Sequence, residues 1–252
     1  MSILQAIIQG IVQGATEFLP VSSSGHLSLA QHFMGVKVDS LLFDVMLHIG
    51  TLLAVLIVYR ELILRLIVAL IRLVRDVFTG KFRWSHMSAD RRLLIMLMIG
   101  LLPLFLLFVP VPGTGYQVKD FADLWATDSD IVVEGCALVA TSILLTLGIL
   151  ATKRQRGRGR AGAISGRRSF GVPDALAVGF AQCVAAVFPG LSRSGSTLSA
   201  GLMRGISRQT ALDYSFVIGI PAIVAAAALE LKDALHEPVT VGIAPILAGV
   251  IT

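Results

Sequence analysis

Long apolar stretches with few charges constrain this chain more than any other feature. Residues 93–111 contain no charged side chain, and residues 131–152 contain only Glu134. Hydrophobic residues make up 55% of the 252 positions and charged residues 15%, against about 25% charged in soluble domains. A soluble domain of this length could not bury so much apolar surface, and the runs are too continuous for barrel strands. The composition predicts an all-α polytopic membrane protein.

Positive charge is concentrated in two stretches. Of the 21 Lys and Arg, eight lie in residues 60–92 and seven in residues 153–168, where no acid occurs. Because basic residues near membrane helices favour the cytoplasmic side, both stretches are predicted to be cytoplasmic loops. Residues 62–74 have the pattern of an amphipathic helix at the inner surface or of a simple helix overhang. Nucleic-acid binding is therefore a poor explanation of the net charge of +5.

The chain contains an internal repeat. Two apolar segments, residues 4–34 and 172–206, are each interrupted by a cluster of Pro, Gly and Ser, and each precedes a run long enough to span, residues 41–59 and 211–229. The copies, residues 3–59 and 172–230, align at a constant spacing of 169 residues, with one residue inserted at Arg193. The matched pairs include Gly10 with Gly179, Gln13 with Gln182, Pro20 with Pro189, Ser23 with Ser192, Asp44 with Asp213 and Gly50 with Gly219.

The two copies are predicted to have opposite orientations in one transmembrane domain of residues 1–252. The spanning run of the first copy ends at a basic stretch, whereas that of the second begins at one. This is the pattern of an inverted-topology repeat. Each broken segment then has to return to its own side as a re-entrant helical hairpin, and its non-helical backbone needs protein or water around it. The two breaks are predicted to meet near mid-membrane and line one cavity.

Polar side chains at the breaks carry the candidate chemistry. An arginine among hydroxyls at a helix N-terminus is typical of phosphate sites, and a carboxylate, a serine and a histidine opposite it are suited to hydrolysing that phosphate. A structural role is favoured for Asp44 and for His48, which is retained as a weaker site candidate. The first break supplies Gln13, Glu17, Ser22, Ser23, Ser24 and His26, and the second supplies Ser192, Arg193, Ser194, Ser196 and Thr197.

The segments GATEFLPVSSSGHL and PGLSRSGSTLSAGLMRGISR resemble the signature motifs of the undecaprenyl-diphosphate phosphatase family. In this resemblance the family's (Glu/Gln)xxxE motif falls on Gln13 and Glu17, PxSSxGH on residues 20–26 and PGxSRSGxT on residues 189–197. It implies two re-entrant helix pairs in an inverted repeat, in a bacterial inner-membrane enzyme that recycles the lipid carrier for peptidoglycan and is associated with bacitracin resistance. It also implies an active site open to the outer side.

Two departures from the family pattern affect these expectations. Gln13 stands where many relatives have Glu, which leaves Glu17 as the principal anionic ligand for a divalent cation, Mg²⁺ or Ca²⁺. The last apolar run stops at Thr252, about 20 Å of helix, whereas relatives continue. The C-terminal helix is therefore expected to be truncated.

The resemblance implies a role for each site residue. Arg193, with the substrate-binding residues Ser192, Ser194, Thr197 and Gln13, is predicted to bind the diphosphate, and Glu17 to help hold the cation. Ser23 is predicted to attack the terminal phosphorus while His26 handles the proton. Activation of water by His26, or attack by His26 itself, are the alternatives that the sequence leaves open.

The expected partners are the polyprenyl diphosphate and the bilayer, with a homodimer as a further candidate assembly and no nucleic acid. The alternative function is a secondary transporter or flippase for an anionic lipid or small anion, because inverted repeats with broken helices also serve alternating access. The asymmetry of the two breaks favours the enzyme, since a carrier has less need of a nucleophile beside a base.

Overall fold

A computed structural model of the chain describes residues 1–36, 41–81, 83–84, 87–121, 131–157, 166–234 and 241–252. In these ranges the regular structure is helical, apart from two isolated β-bridges. The helices are α1 (Ile3–Phe18), α2 (Ser23–Phe33), α3 (Leu41–Val58), α4 (Arg60–Phe78), α5 (Ala89–Leu101), α6 (Ile131–Gly157), α7 (Val172–Val187), α8 (Arg193–Met203), α9 (Arg208–Ala234) and α10 (Ile243–Ile251). A 3₁₀ segment, Leu102–Phe108, continues α5.

Three of the described helices are long and apolar enough to cross a membrane. They cover Ala89–Phe108, Ile131–Gln155 and Arg208–Ala228, and they match three of the four predicted spanning runs. The fourth run forms α3, whose apolar part, Leu42–Val58, is shorter. Large apolar side chains such as Phe105 and Val132 are exposed on these helices, as lipid contact requires. The predicted all-α chain with membrane-capable helices is confirmed.

The two basic stretches predicted as loops are partly helical, and the helix predicted over residues 62–74 is confirmed. Residues 60–78 form α4, which follows α3 with only Tyr59 between them and buries Leu66 and Ala69. Residues 153–157 are the end of α6, whereas residues 158–165 and the acidic positions Asp123, Asp128 and Asp130 lie outside the described residues. A basic composition indicates a side of the membrane and does not prevent helix formation, because Arg and Lys are good helix formers.

Two apolar clusters hold the helices together. One joins α1, α2, α3 and α10 around Phe43 and Leu47. The other joins α5, α7, α8 and α9 around Val178 and Ile218. Helices α3 and α9 pack against each other, and α6 contacts both α2 and α8. The break that follows α1 and the break that follows α7 are thereby brought together between the two clusters.

Two close helix crossings occur at matched positions of the repeat. Gly10 of α1 lies against α10, and a Cβ on Gly10 would be 2.4 Å from the carbonyl oxygen of Gly249. Gly179 of α7 lies against α5, and a Cβ there would be 2.2 Å from the carbonyl oxygen of Gly100. Small residues allow membrane helices to approach this closely. The two copies therefore use the same position for the same kind of crossing.

Candidate active site

The two breaks have the same capping hydrogen bond, although the backbone of the capping serine differs, with a φ of 75° at Ser22 and −63° at Ser192. The Ser22 hydroxyl, before α2, accepts the backbone N–H of Gly25 at 3.3 Å. The Ser192 hydroxyl, before α8, accepts the backbone N–H of Gly195 at 3.0 Å. Serine is a preferred N-cap because its oxygen satisfies an amide of the first helical turn that has no partner within the helix. Both breaks therefore end in a capped helix that begins at the site.

The caps correct the sequence alignment at the breaks. Sequence matching paired Ser23 with Ser192 and placed the inserted residue at Arg193. The capping hydrogen bonds instead place Ser22 opposite Ser192, so that Ser23 and Arg193 are each the first residue of a helix. The extra residue lies before the cap, where Gly190 has a φ of 76°. Such a turn admits an additional residue without changing the helix that follows, because glycine adopts positive φ readily.

Glu17 connects the two breaks. Its Oε2 accepts hydrogen bonds from the Ser23 hydroxyl at 2.5 Å and from the Gln13 amide at 3.3 Å. Its Oε1 accepts one from Nη2 of Arg193 at 3.1 Å. The side chains of Glu17 and Arg193 are 10% and 26% exposed, so the ion pair is largely withdrawn from water. In such a buried position a charge without a partner would be costly. The structure thus brings together three of the four predicted catalytic residues.

The turn at Ser22 is strained. Its φ of 75° is positive, and no other non-glycine residue in the described part of the chain has a positive φ. Side chains rarely adopt this conformation, and it is found at functional sites where the surrounding structure maintains it. Here it sets the direction of the chain immediately before Ser23, whose hydroxyl donates to Glu17.

Arg193 is packed against a glycine that the sequence analysis did not assign to the site. A Cβ on Gly219 of α9 would lie only 1.9 Å from Nη1 of Arg193, so a larger residue at position 219 would displace the guanidinium. The repeat had matched Gly219 with Gly50. A glycine repeated in the middle of an apolar spanning run was the available signal, but it could not indicate which side chain needed the space.

The predicted hydroxyl ligands divide into two groups. Ser194 and Ser192 line the cavity described below, with their Oγ atoms 3.4 Å apart, and the Ser192 backbone N–H donates to Thr141. Thr197 is 1% exposed, does not line that cavity, and donates to the carbonyl oxygens of Arg193 and Ser194. Thr197 also contacts the Ser215 hydroxyl. The structure therefore places Thr197 behind the site.

A cavity of about 440 Å³ opens over the two breaks. One wall is apolar and consists of the 3₁₀ segment after α5 and the alanine-rich part of α9. Such a surface suits a hydrocarbon chain, and the polar breaks suit a charged headgroup. The polar residues in the lining are Thr16, Glu17, Ser22, Ser23, Ser24, His48, Gln182, Ser192, Arg193 and Ser194.

The sequence favours His26 over His48 as a site residue, and the positions of the two side chains do not match that preference. Nδ1 of His26 is 2.7 Å from the carbonyl oxygen of Ser22, which can only accept, so Nδ1 carries the proton and Nε2 is left for other partners. His26 does not line the cavity, whereas His48, the weaker candidate, does. Nδ1 of His48 is 2.8 Å from the carbonyl oxygen of Asp44. The proton-handling role of His26 stays a prediction.

Two glutamines also lie at the site. Gln13, predicted to bind the substrate, is buried and does not line the cavity, and its Oε1 has no hydrogen-bond partner among the described residues. Gln182, its match in the repeat, lines the cavity and was not assigned to the site by the sequence analysis. Neither amide atom of Gln182 has a partner in the described part of the chain. The repeat pairing with Gln13 was the signal that could have identified Gln182.

The donor set fits a divalent cation only in part. No cluster of three or more His, Cys, Asp or Glu able to hold a metal occurs among the residues that the structure describes. Among the described residues that line the cavity, Glu17 is the only carboxylate, and the Gln13 amide nitrogen donates to it from behind. Because Mg²⁺ is commonly held by one or two carboxylates together with substrate phosphates, these residues fit a cation that binds together with a diphosphate.

Comparison with known proteins identifies the family. The model of the family described as bacitracin resistance protein BacA matches residues 6–252. The undecaprenyl-diphosphatase of Desulfosudis oleivorans is 38% identical over 250 residues, covering 99% of this chain and 84% of the relative. That of Desulforapulum autotrophicum is 37% identical over 235 residues, covering 92% and 78%. Since the family match covers nearly the whole chain and includes both breaks, the chain belongs to the BacA family.

Proposed function

We propose that the cavity over the two breaks is where this chain hydrolyses undecaprenyl diphosphate to undecaprenyl phosphate and inorganic phosphate. The chain is an undecaprenyl-diphosphatase, a membrane hydrolase that recycles the lipid carrier for cell-wall synthesis, as its family and its relatives indicate. The observation that supports the site is the contact of Glu17 with both Ser23 and Arg193. The transporter alternative is not favoured, because the matched relatives are named as diphosphatases.

Arg193 is the proposed anchor of the diphosphate. Its guanidinium offers several N–H donors in a fixed plane, and a diphosphate accepts such bonds in pairs. Ser192 and Ser194 add hydroxyls beside it, and the N-terminus of α8 adds a positive partial charge. Substrate binding would take the guanidinium away from Glu17 in part, which leaves that carboxylate free to act on Ser23.

Ser23 is the proposed nucleophile, and Glu17 is its proton acceptor. The Ser23 oxygen attacks the terminal phosphorus while its proton passes to Oε2 of Glu17, the atom to which it is already hydrogen-bonded. The bond from that phosphorus to the bridging oxygen breaks, and its electron pair leaves with undecaprenyl phosphate. Water then attacks the phosphorus of the phosphoserine, the bond from that phosphorus to the Ser23 oxygen breaks, and this oxygen takes back the proton from Glu17. His26, three residues after Ser23 and so on the same face of α2, is the proposed acceptor of the water proton through Nε2.

Glu17, the carboxylate of the cavity lining, would hold a divalent cation, Mg²⁺ or Ca²⁺, together with the substrate, and Gln13 would position Glu17 through the hydrogen bond from its amide. When bound, the cation would neutralise the negative charge that accumulates on the diphosphate oxygens. Arg193 performs the same task from the second break. The remaining contribution of the chain is to hold the Ser23 oxygen in line with the phosphorus and to keep bulk water out through the apolar wall.

The chain is a multi-pass membrane protein, and we propose that its two copies form an inverted repeat with α1–α2 and α7–α8 as re-entrant hairpins. At about 1.5 Å per residue, the 16 residues of α1 or α7 and the 11 of α2 or α8 are each shorter than a bilayer core of about 30 Å. The matched crossings at Gly10 and Gly179 and the matched caps support this arrangement.

The proposed orientation places the basic stretches in the cytoplasm of a bacterial cell and the cavity towards the outer leaflet of its inner membrane. Helix α5 begins within the first basic stretch, and the start of α9 lies beside the end of the second, because the backbone N–H of Ser207 donates to the carbonyl oxygen of Arg167 at 2.8 Å. The cavity is lined by the opposite ends of the same two elements, at residues 104–108 and 222–227. A headgroup that enters the cavity would therefore come from the side away from the basic stretches.

The activity is tested by phosphate release from undecaprenyl diphosphate with the purified chain in detergent, with and without EDTA. Ser23→Ala and Arg193→Ala are expected to lose turnover, and EDTA to abolish it. Ser199→Ala is the matched control, because Ser199 lies on α8 with Arg193, is 1% exposed and does not line the cavity. Absence of release by the wild type would overturn the assignment of the activity, and full activity of Ser23→Ala would overturn the nucleophile.

A further inference from the structure

Gln182 has a buried amide that nothing in the described structure satisfies. Its side chain is 1% exposed, and both Nε2 and Oε1 lack a hydrogen-bond partner among the described residues. Buried polar groups in folded proteins are nearly always hydrogen-bonded, and an exception calls for an explanation. A ligand that completes the bonding of the amide is one such explanation.

The position of Gln182 on α7 indicates that such a ligand would bind in the cavity over the two breaks. Gln182, Ala185 and Ala186 all line the cavity, and their spacing of three and four residues makes them one face of the helix. The same cavity is lined by Glu17, Ser23 and Arg193. The side chain that carries the amide is therefore one of those around the space proposed for the reaction of the diphosphate.

The comparison with Gln13 shows what is different about Gln182. In the first copy, the amide of Gln13 donates to Glu17, four residues later on the same helix. In the second copy, the residue four positions after Gln182 is Ala186, which offers no acceptor. The first copy therefore satisfies its glutamine with a carboxylate of the protein, whereas the second copy has the glutamine without the carboxylate.

We propose that Gln182 is a substrate-binding residue whose amide N–H donates to an oxygen of the bound diphosphate. The diphosphate thus takes, in the second copy, the place that the Glu17 carboxylate takes in the first. A phosphate oxygen is an anionic acceptor, as a carboxylate oxygen is, and an amide donor beside Arg193 adds a contact without adding charge. This inference rests on the proposed function, since it names a further contact of the same substrate.

The test compares Gln182→Leu, which removes both amide atoms at similar volume, with Gln182→Glu, which keeps an oxygen but removes the donor. Binding of a non-hydrolysable prenyl methylenebisphosphonate is measured by microscale thermophoresis in detergent, and KM and kcat are measured with undecaprenyl diphosphate. Both variants are expected to raise the Kd of the analogue and the KM on the order of tenfold or more. The value of kcat is expected to change by less than about threefold, as for a contact made equally in ground state and transition state.

Thermal unfolding separates this role from a structural one. Gln182→Leu replaces an unsatisfied buried amide by an apolar group, so its Tm is expected to equal or exceed that of the wild type. The matched control is Gln9→Leu. Gln9 is also fully buried, but its Oε1 accepts a hydrogen bond from Gln31 at 3.0 Å and it does not line the cavity. This control is expected to lower the Tm and leave the Kd of the analogue unchanged.

Three results would overturn the proposal. One is an unchanged Kd in Gln182→Leu. Another is wild-type binding by Gln182→Glu, which would assign the contact to the amide oxygen and not to the donor. The third is a Tm of Gln182→Leu that falls as far as that of Gln9→Leu, which would make Gln182 a structural residue. A wild type that binds the analogue but releases no phosphate would instead count against the proposed activity alone.

Discussion

Ser23 and Arg193 occupy the same place in their two helix pairs and donate to opposite oxygens of one carboxylate. Each is the first residue of a helix behind a serine N-cap. Ser23 donates to Oε2 of Glu17 at 2.5 Å and Arg193 to Oε1 at 3.1 Å. The proposed nucleophile and the proposed anion-binding group thus lie at equivalent positions behind the two caps.

Replacing Arg193 by Lys is expected to lower kcat/KM by on the order of a hundredfold or more. Lysine keeps the charge but loses the planar set of donors that can bind Glu17 and a phosphate at the same time. The measurement is steady-state phosphate release from undecaprenyl diphosphate, with Arg208→Lys at the exposed start of α9 as the control. Activity of Arg193→Lys within about threefold of the wild type would show that only charge matters at this position.

The substitution Gly219→Ala is expected to abolish most of the activity while the protein still folds. A Cβ at this position would clash with Nη1 of Arg193, so the guanidinium has to shift from the position in which Nη2 donates to Glu17. Phosphate release and binding of a prenyl bisphosphonate should both fall. Gly14→Ala on α1 is the control, because a Cβ there meets nothing within 4 Å. Equal activity of the two variants would remove Gly219 from the site.

The sequence predicted the helical class, the spanning runs and the residues that gather at the breaks. Long uncharged runs indicate membrane-spanning segments directly. Polar residues inside a membrane carry a high free-energy cost, so those that do occur there mark a functional site. The gathering of Glu17, Ser23 and Arg193 depended on a contact 176 residues apart, and the repeat made that contact predictable.

What the sequence misplaced depends on geometry at the scale of one residue. The inserted residue was put at Arg193, whereas the caps put it before Ser192, because letter matching cannot distinguish which serine accepts the amide of the first turn. Gly219 and Gln182 were matched in the repeat but given no role. The role of Gly219 depends on its contact with Arg193, and the proposed role of Gln182 depends on its burial without a partner in the described structure, and both are properties of packing.

The substitution His26→Asn is expected to lower kcat by on the order of a hundredfold, as loss of a general base does. Asparagine can keep the hydrogen bond that Nδ1 of His26 makes with the carbonyl oxygen of Ser22, but it has no counterpart of Nε2. Because the turn keeps its donor, the Tm should be unchanged. The measurement is single-turnover phosphate release with trapping of the phosphoserine, which should accumulate.

The second histidine is the matched control for this prediction. His48→Asn keeps the equivalent contact with the Asp44 carbonyl oxygen, and it alters a residue of the cavity lining. If His48→Asn accumulates the phosphoserine and His26→Asn does not, the proton acceptor is His48, and the lining of the cavity is then a better guide to the catalytic base than position on α2.

Asp174 is expected to make the stability of the protein depend on acid pH. Its side chain is 2% exposed. Its carboxylate accepts two hydrogen bonds from Arg167, at 2.8 and 2.9 Å, and one from Arg204 at 2.9 Å. Burial raises the pKa of Asp174, but the hydrogen bonds from Arg167, from the Gly171 backbone and from Arg204 outweigh burial, so that the pKa lies below its ordinary value of 3.8.

A lowered pKa fixes the direction of the effect. The unfolded chain binds the proton more readily than the folded one, so the contribution of Asp174 to stability is fully present above its ordinary value and is lost as the pH falls through the lowered value. Asp174→Asn should cost about 2 kcal/mol near neutral pH, in the range of hydrogen bonds to charged groups. In thermal unfolding, the Tm difference between wild type and Asp174→Asn should therefore stay constant down to the ordinary pKa of 3.8 and narrow as the pH falls below that value. The control is Asp90→Asn, because the Asp90 carboxylate is exposed and lies 4.0 Å from Arg65; this variant should show no such narrowing. A Tm difference for Asp174→Asn that stays constant over the same range would contradict the assigned ion pair.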